Sequence, residues 1–125
     1  KKSYFGRYHI YTKCGTKRTK MDIVDYIQEV EKQGAAELII NCIDRDGTME
    51  GYDIELMKRV SESVGIPVVA LGGSGNIKHM SDVLDQTYVS AVAAGSQFVY
   101  HGNRNAVLIN YPSQKELKIF ERSLK

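Results

Sequence analysis

Two glycine-bearing loops hold the residues best suited to chemistry: Ile43-Asp44-Arg45-Asp46-Gly47-Thr48 and Leu71-Gly72-Gly73-Ser74-Gly75. Glycine has no Cβ, so backbone N–H groups can converge on one anion, and a following helix adds about half a positive charge at its N-terminus. The chemistry implied is the holding of a phosphate. By residue type Asp44 is a candidate acid or base, with a buried orienting carboxylate as the equal alternative. Asp46-Gly47 taken alone is an Asp-Gly turn with a helix cap. A calcium loop does not fit, because the third acidic position and the closing glutamate of that motif are missing. His9, His79 and His101 share no metal-ligand spacing and read as surface or loop residues. Neither a metal nor a cofactor is expected.

Each loop follows a short apolar run, Leu38-Ile39-Ile40 or Pro67-Val68-Val69-Ala70, and precedes a helix-like stretch. A third run, Ser90 to Ala94, ends at Gly95-Ser96. Helical spacing marks Ile23, Val24, Ile27 and Val30 after an entry at Thr19–Asp22, with Gly34 as the stop. It marks Ile54, Met57, Val60 and Val64 up to Gly65, then Ile77, Met80, Val83 and Leu84, and finally Leu117, Phe120 and Leu124. Arg7 to Cys14 alternates like one arm of a β-hairpin. The order is a hairpin, three αβ units and a last helix, which implies a parallel sheet covered by helices. An open doubly wound sheet and a (β/α) barrel both use such units. The barrel is favoured because every candidate strand ends in a glycine loop and no G-x-G-x-x-G fingerprint occurs. A (β/α)8 barrel typically takes about 250 residues, and this chain has 125.

A net charge of +2 is too small to argue for nucleic acid or a membrane surface. The basic residues from Lys1 to Lys20 read as a solvated hairpin, with an anion-binding patch as the lesser alternative. Cys14 and Cys42 have neither metal-ligand nor disulfide-scaffold spacing, and Cys42 reads as a packed thiol. No apolar run reaches transmembrane length and no secretory signal is visible, so a cytoplasmic location is the default expectation. The start at Lys1, without methionine, reads as a fragment.

The string Gly34-Ala35-Ala36-Glu37-Leu38-Ile39-Ile40, then Ile43-Asp44-Arg45-Asp46-Gly47-Thr48, Gly51-Tyr52-Asp53 and Pro67 to Gly75, resembles the cyclase subunit of imidazole glycerol phosphate synthase, HisF. The likeness runs from about Asp22 to Phe98. It implies an α/β fold: the C-terminal half of a (β/α)8 TIM barrel, parallel strands with covering helices plus an N-terminal hairpin arm. Residues 1–125 would form one half-barrel domain, residues 1–20 the arm and 21–125 the βα units. It also implies an enzyme, a lyase. The family uses ammonia from a HisH-type glutaminase partner to cyclise a phosphorylated nucleotide in histidine biosynthesis. Imidazole glycerol phosphate and an aminoimidazole carboxamide nucleotide are released. The family's two catalytic aspartates, at the ends of the first and fifth strands, fall outside this chain, so the chain alone is expected to be inactive. Asp46, Gly47, Gly73, Gly95 and Ser96 match positions that cradle a substrate phosphate. A carboxylate beside a phosphate would repel it, so Asp46 is expected to offer its backbone N–H or to meet a non-phosphate group. Glu37 matches a charged gate at the mouth where ammonia enters.

Leu71 departs from the small residue expected before Gly-Gly, and Gln97, Tyr100-His101-Gly102 and Ala106 to Pro112 resemble a HisF-like paralogue group that channels ammonia for acetamidino sugars of surface polysaccharides. Val107-Leu108-Ile109 is expected either to cover the barrel end or to recognise a partner. Two other readings remain: a catalytically inactive, self-associating half-barrel, and the sister phosphosugar isomerase. The isolated half, taken as four-stranded, would expose its edges and a concave face. It is expected to form homo-oligomers that bury Ile39, Val69 and Val92. No nucleic-acid or membrane partner is expected.

Overall fold

The computed structural model describes residues 1–4, 6–101, 106–109 and 111–123. The chain opens with an antiparallel hairpin, β1 (His9–Thr12) and β2 (Lys17–Asp22). Three parallel strands follow, β3 (Leu38–Asn41), β4 (Val68–Leu71) and β5 (Ala91–Ala93), side by side in chain order. Helices α1 (Ile23–Lys32), α2 (Ile54–Ser61) and α3 (Ile77–Gln86) alternate with them. A four-residue helix α4 (Ser96–Val99) leads into a second small hairpin, β6 (Tyr100–His101) with β7 (Ala106–Val107). Helix α5 (Gln114–Ser123) closes the described chain.

The helices start where capping residues satisfy the first free N–H groups. Asp22 accepts from Val24 N–H at 2.8 Å, Asp53 from Leu56 N–H at 3.0 Å, and Asn76 from His79 N–H at 3.0 Å. Each helix then turns its apolar stripe onto the sheet: Ile23 and Ile27 from α1, Leu56, Met57 and Val60 from α2, Met80 and Val83 from α3. Met57, Val60 and Val83 are fully buried. Burial of each such side chain is worth about 1.5–3 kcal/mol. The helix entry expected over Thr19–Asp22 begins only at Asp22, because Thr19 to Met21 pair with β1. α2 ends at Ser61 and not near Gly65. Leu124, expected in the last helix, lies outside the described residues.

Register assigns the two faces of the sheet. Leu38 pairs with Val68, and Ile40 with Ala70, which pairs in turn with Val92. These residues face the helices, and all of them belong to or pack on the core. Ile39, Val69, Asn41 and Leu71 occupy the other face, where Ile39 is 64% exposed. Two expectations are corrected here. Val92 lies on the helix-covered side, since its strand partner Ala70 is completely buried. The parallel sheet has three strands among the described residues, where a four-stranded half was expected. Beyond the edge of β3 runs an apolar groove of about 360 Å³, lined by Tyr8, Ile10, Ile27, Val30, Leu38 and Ile40 among others.

Candidate functional site

All three parallel strands release their chains at one end of the sheet, and the glycine loops meet there. Gly51 N–H donates to the Gly73 carbonyl at 2.7 Å, tying the loop after β3 to the loop after β4. Gly73 has φ +107°, and a Cβ on it would run into the Gly51 carbonyl, so only glycine allows this approach. The loop after β5 is joined through α4: Ser74 Oγ, buried, donates to Gln97 Oε1 at 2.6 Å. Tyr52 O–H spans beneath the loops to the Ala93 carbonyl at 2.8 Å. Burial pushes the Tyr52 phenol above its usual range.

The result is one shallow cleft lined by Asp46, Gly47, Leu71, Gly72, Gly73, Ser74, Ala94, Gly95 and Ser96. Its enclosed space, about 10 Å³, matches a single water molecule. An anion would therefore lie across its mouth. Among the described residues, the N–H groups of Gly73, Gly95 and Ser96 and the Ser96 hydroxyl have no hydrogen-bond acceptor. Loops after the last two strands with the N-terminus of a short extra helix are a recurrent phosphate site of (β/α)8 barrels.

The five residues singled out for phosphate, Asp46, Gly47, Gly73, Gly95 and Ser96, thus share one cleft. The role expected of the Asp46 backbone is corrected. Its N–H donates to the Cys42 carbonyl at 2.9 Å, because the chain after β3 winds into a helical turn that uses it. The Asp46 carboxylate accepts from Asn41 Nδ2 at 3.2 Å. Asp44 does not line the cleft. It accepts Lys2 N–H at 2.7 Å and lies 3.9 Å from Lys1 Nζ. Glu37 is exposed and directly precedes β3, at the opposite end of the sheet from the cleft. Val107, Leu108 and Ile109 are 76%, 57% and 83% exposed. Among the described residues no group of three or more His, Cys, Asp or Glu side chains could hold a metal, and no helix is long and apolar enough to cross a membrane.

Several contributors escaped the sequence reading. Asp53 caps α2 and also accepts the Tyr8 O–H, at 2.9 Å and 3.1 Å to its two oxygens. It ties the hairpin arm to the loop that forms the cleft. Burial, and then this bond, push the Tyr8 phenol far above its ordinary value of 10.0. Cys42 is buried with Sγ 3.9 Å from Asp53, and burial raises its thiol above the usual range. His79 and the Ser74–Gln97 pair brace the loops from behind. Asp53 stands in the Gly51-Tyr52-Asp53 string that carries the family resemblance, but nothing local to the sequence links it to Tyr8.

A family model described as "Histidine biosynthesis protein" matches residues 1–105. Among curated relatives, a Pseudomonas aeruginosa protein provisionally named imidazole glycerol phosphate synthase subunit hisF2 is 40% identical over 119 residues, covering 95% of this chain and 47% of that protein. A Leptospira borgpetersenii protein, provisionally named subunit HisF of the same synthase, is 46% identical over 107 residues, 86% of this chain and 42% of its own length. The imidazole glycerol phosphate synthase subunit HisF of Sulfurisphaera tokodaii is 48% identical over 92 residues, 74% of this chain and 35% of its length. The chain spans less than half the length of these relatives. A three-stranded parallel sheet with alternating helices fits part of a half-barrel. With the family model covering most of its length, the chain belongs to the histidine biosynthesis protein family.

Proposed function

We propose that this chain is the phosphate-holding part of a HisF-type cyclase. In that reading, ammonia released by a HisH-type glutaminase closes the imidazole ring of a phosphorylated nucleotide, giving imidazole glycerol phosphate and an aminoimidazole carboxamide nucleotide. The carrying observation is the meeting of Gly47, Gly73, Gly95 and Ser96 at one cleft, on the end of the sheet where (β/α)8 enzymes do their chemistry. A phosphate there would accept from the Gly73, Gly95 and Ser96 N–H groups and the Ser96 hydroxyl. Such charge-assisted bonds are worth about 1.5–3 kcal/mol each. The Asp46 carboxylate, fixed by Asn41, would face a hydroxyl or amide of the substrate and not its phosphate. Asp44 remains a candidate acid or base only if its contacts with Lys1 and Lys2 open. Glu37 would stand at the ammonia entrance, and the reading places the protein in the cytoplasm.

Calorimetry with inorganic phosphate tests the site. Gly95 has open space where a Cβ would go and an ordinary φ of −114°, so Gly95→Asp adds a like charge without strain. Loss of measurable phosphate binding in a folded Gly95→Asp chain is expected. Undiminished binding would reject the cleft as the site. The 125-residue chain alone is expected to show no cyclase turnover. Ammonia-dependent turnover by the purified chain would overturn both this expectation and the register in which the family's aspartates fall outside it.

A further inference from the structure

His79 belongs to α3 but its ring turns back toward the glycine loop. Gly75 N–H donates to His79 Nδ1 at 3.2 Å. The ring also lies against Gly51, 3.7 Å from where a Cβ on that residue would sit. Gly51 is the residue whose N–H holds the Gly73 carbonyl. One imidazole therefore touches both strand-end loops, while His79 itself does not line the cleft.

We propose that His79 is a positioning residue that clasps the two loops from behind and so sets the spacing of the anion donors. The link between clasp and anion rests on the phosphate reading above; the clasp itself does not.

The hydrogen-bond inventory makes the clasp specific. Asn76 Nδ2 lies 3.2 Å from His79 Nε2, so two N–H donors face one ring. A neutral imidazole has a single acceptor nitrogen, and a protonated one has none. The Gly75 donor is a partly buried backbone N–H with no other partner among the described residues, whereas Asn76 Nδ2 is exposed and can be solvated instead while Asn76 Oδ1 keeps the His79 N–H. Leaving a buried backbone donor unpaired costs more than leaving an exposed side-chain amide to solvent. The acceptor is therefore Nδ1, and the ring is the neutral Nε2–H tautomer.

Nitrogen-15 NMR of the imidazole in the 125-residue chain reads the tautomer directly. An unprotonated Nδ1 is expected, and a protonated Nδ1 overturns the clasp. Amide hydrogen exchange supplies the second readout. In His79→Phe the Gly75 amide should exchange about tenfold faster, while His79→Asn, whose amide oxygen can reach the Nδ1 position, should restore protection. Equal Gly75 exchange in wild type and His79→Phe overturns the proposal. Phosphate titration separates this inference from the one beneath it. If wild type binds phosphate, His79→Phe should bind about tenfold more weakly and His79→Asn should recover most of the loss. Equal binding by His79→Phe removes the role at the anion. If wild type binds no phosphate, the phosphate reading falls, and the tautomer and exchange data still decide the clasp.

Discussion

Glycines that look alike in sequence do different work. At Gly73 any side chain meets the Gly51 carbonyl and a left-handed φ, whereas at Gly95 it meets open space. Gly73→Ala is therefore expected to destabilise the chain by about 1–3 kcal/mol, and Gly95→Ala by a few tenths, measured by urea melts. The sequence could place both glycines at strand ends, but only the loop-to-loop contact separates them. The same limit hid the Asp46 N–H, whose acceptor Cys42 is fixed by the winding of the turn. It also hid Tyr8, whose partner Asp53 is 45 residues away. Tyr8 gives a pH prediction. Its phenol titrates above the ordinary value of 10.0 in the folded chain, so the folded state holds its proton more tightly than the unfolded one. That stabilisation is complete below pH 10 and is lost as the pH rises beyond it. Stability should fall on the alkaline side of pH 10, and Tyr8→Phe should flatten that fall, with Tyr52 and Cys42 also contributing because burial raises both groups.

At the scale of elements, periodicity carried most of the fold. Ile23–Ile27, Leu56–Met57–Val60 and Met80–Val83 recur at helical spacing because each helix buries one stripe, and β3 and β4 read as apolar runs although helices cover only one face of their sheet, the other face leaving Ile39 exposed. Where the physics is weaker the reading slipped. β2 is polar and exposed, KRTKMD, so its strand identity comes from pairing with β1 and not from its own pattern. β6 and β7 are two residues each and carry no usable period. Val92 sits one residue from both alternatives, and only the Ala70 pairing assigns its face. Caps offer a graded test. Asp22→Ala removes one bond to a helix N-terminus and should cost about 1 kcal/mol. Asp53→Ala removes the α2 cap and leaves the buried Tyr8 hydroxyl unpaired, and should cost more, about 2–4 kcal/mol. Thermal melts of the two variants rank them, and an Asp53→Ala no worse than Asp22→Ala would mean that the hairpin arm is not anchored there.

The whole molecule is one-sided. Helices cover one face of the sheet, while Ile39 and its neighbours on the other face, and the groove beside β3, stay open. An uncovered apolar face and a free strand edge favour association. Sedimentation of the isolated 14.0 kDa chain should show concentration-dependent self-association. Ile39→Lys should shift it toward monomer, and a Val92 substitution should act through folding instead, because that side chain packs on the core.

The number of strands limits what such association can build. A closed (β/α)8 barrel fixes strand count, tilt and stagger together, so the ring admits no vacancy. Counted over the described residues, two copies of this chain bring six parallel strands, not eight. A homodimer can shield the open faces, but it cannot reproduce the circumference that the family's sheet requires. The complement that fits is a piece of about five strands, joining β3 on one side and β5 on the other. Mixed with such a piece, the self-associated species should give way to a one-to-one complex with a single cooperative melt. Persistence of the homo-oligomer in that mixture would mean that this sheet does not close as an eighth-order ring.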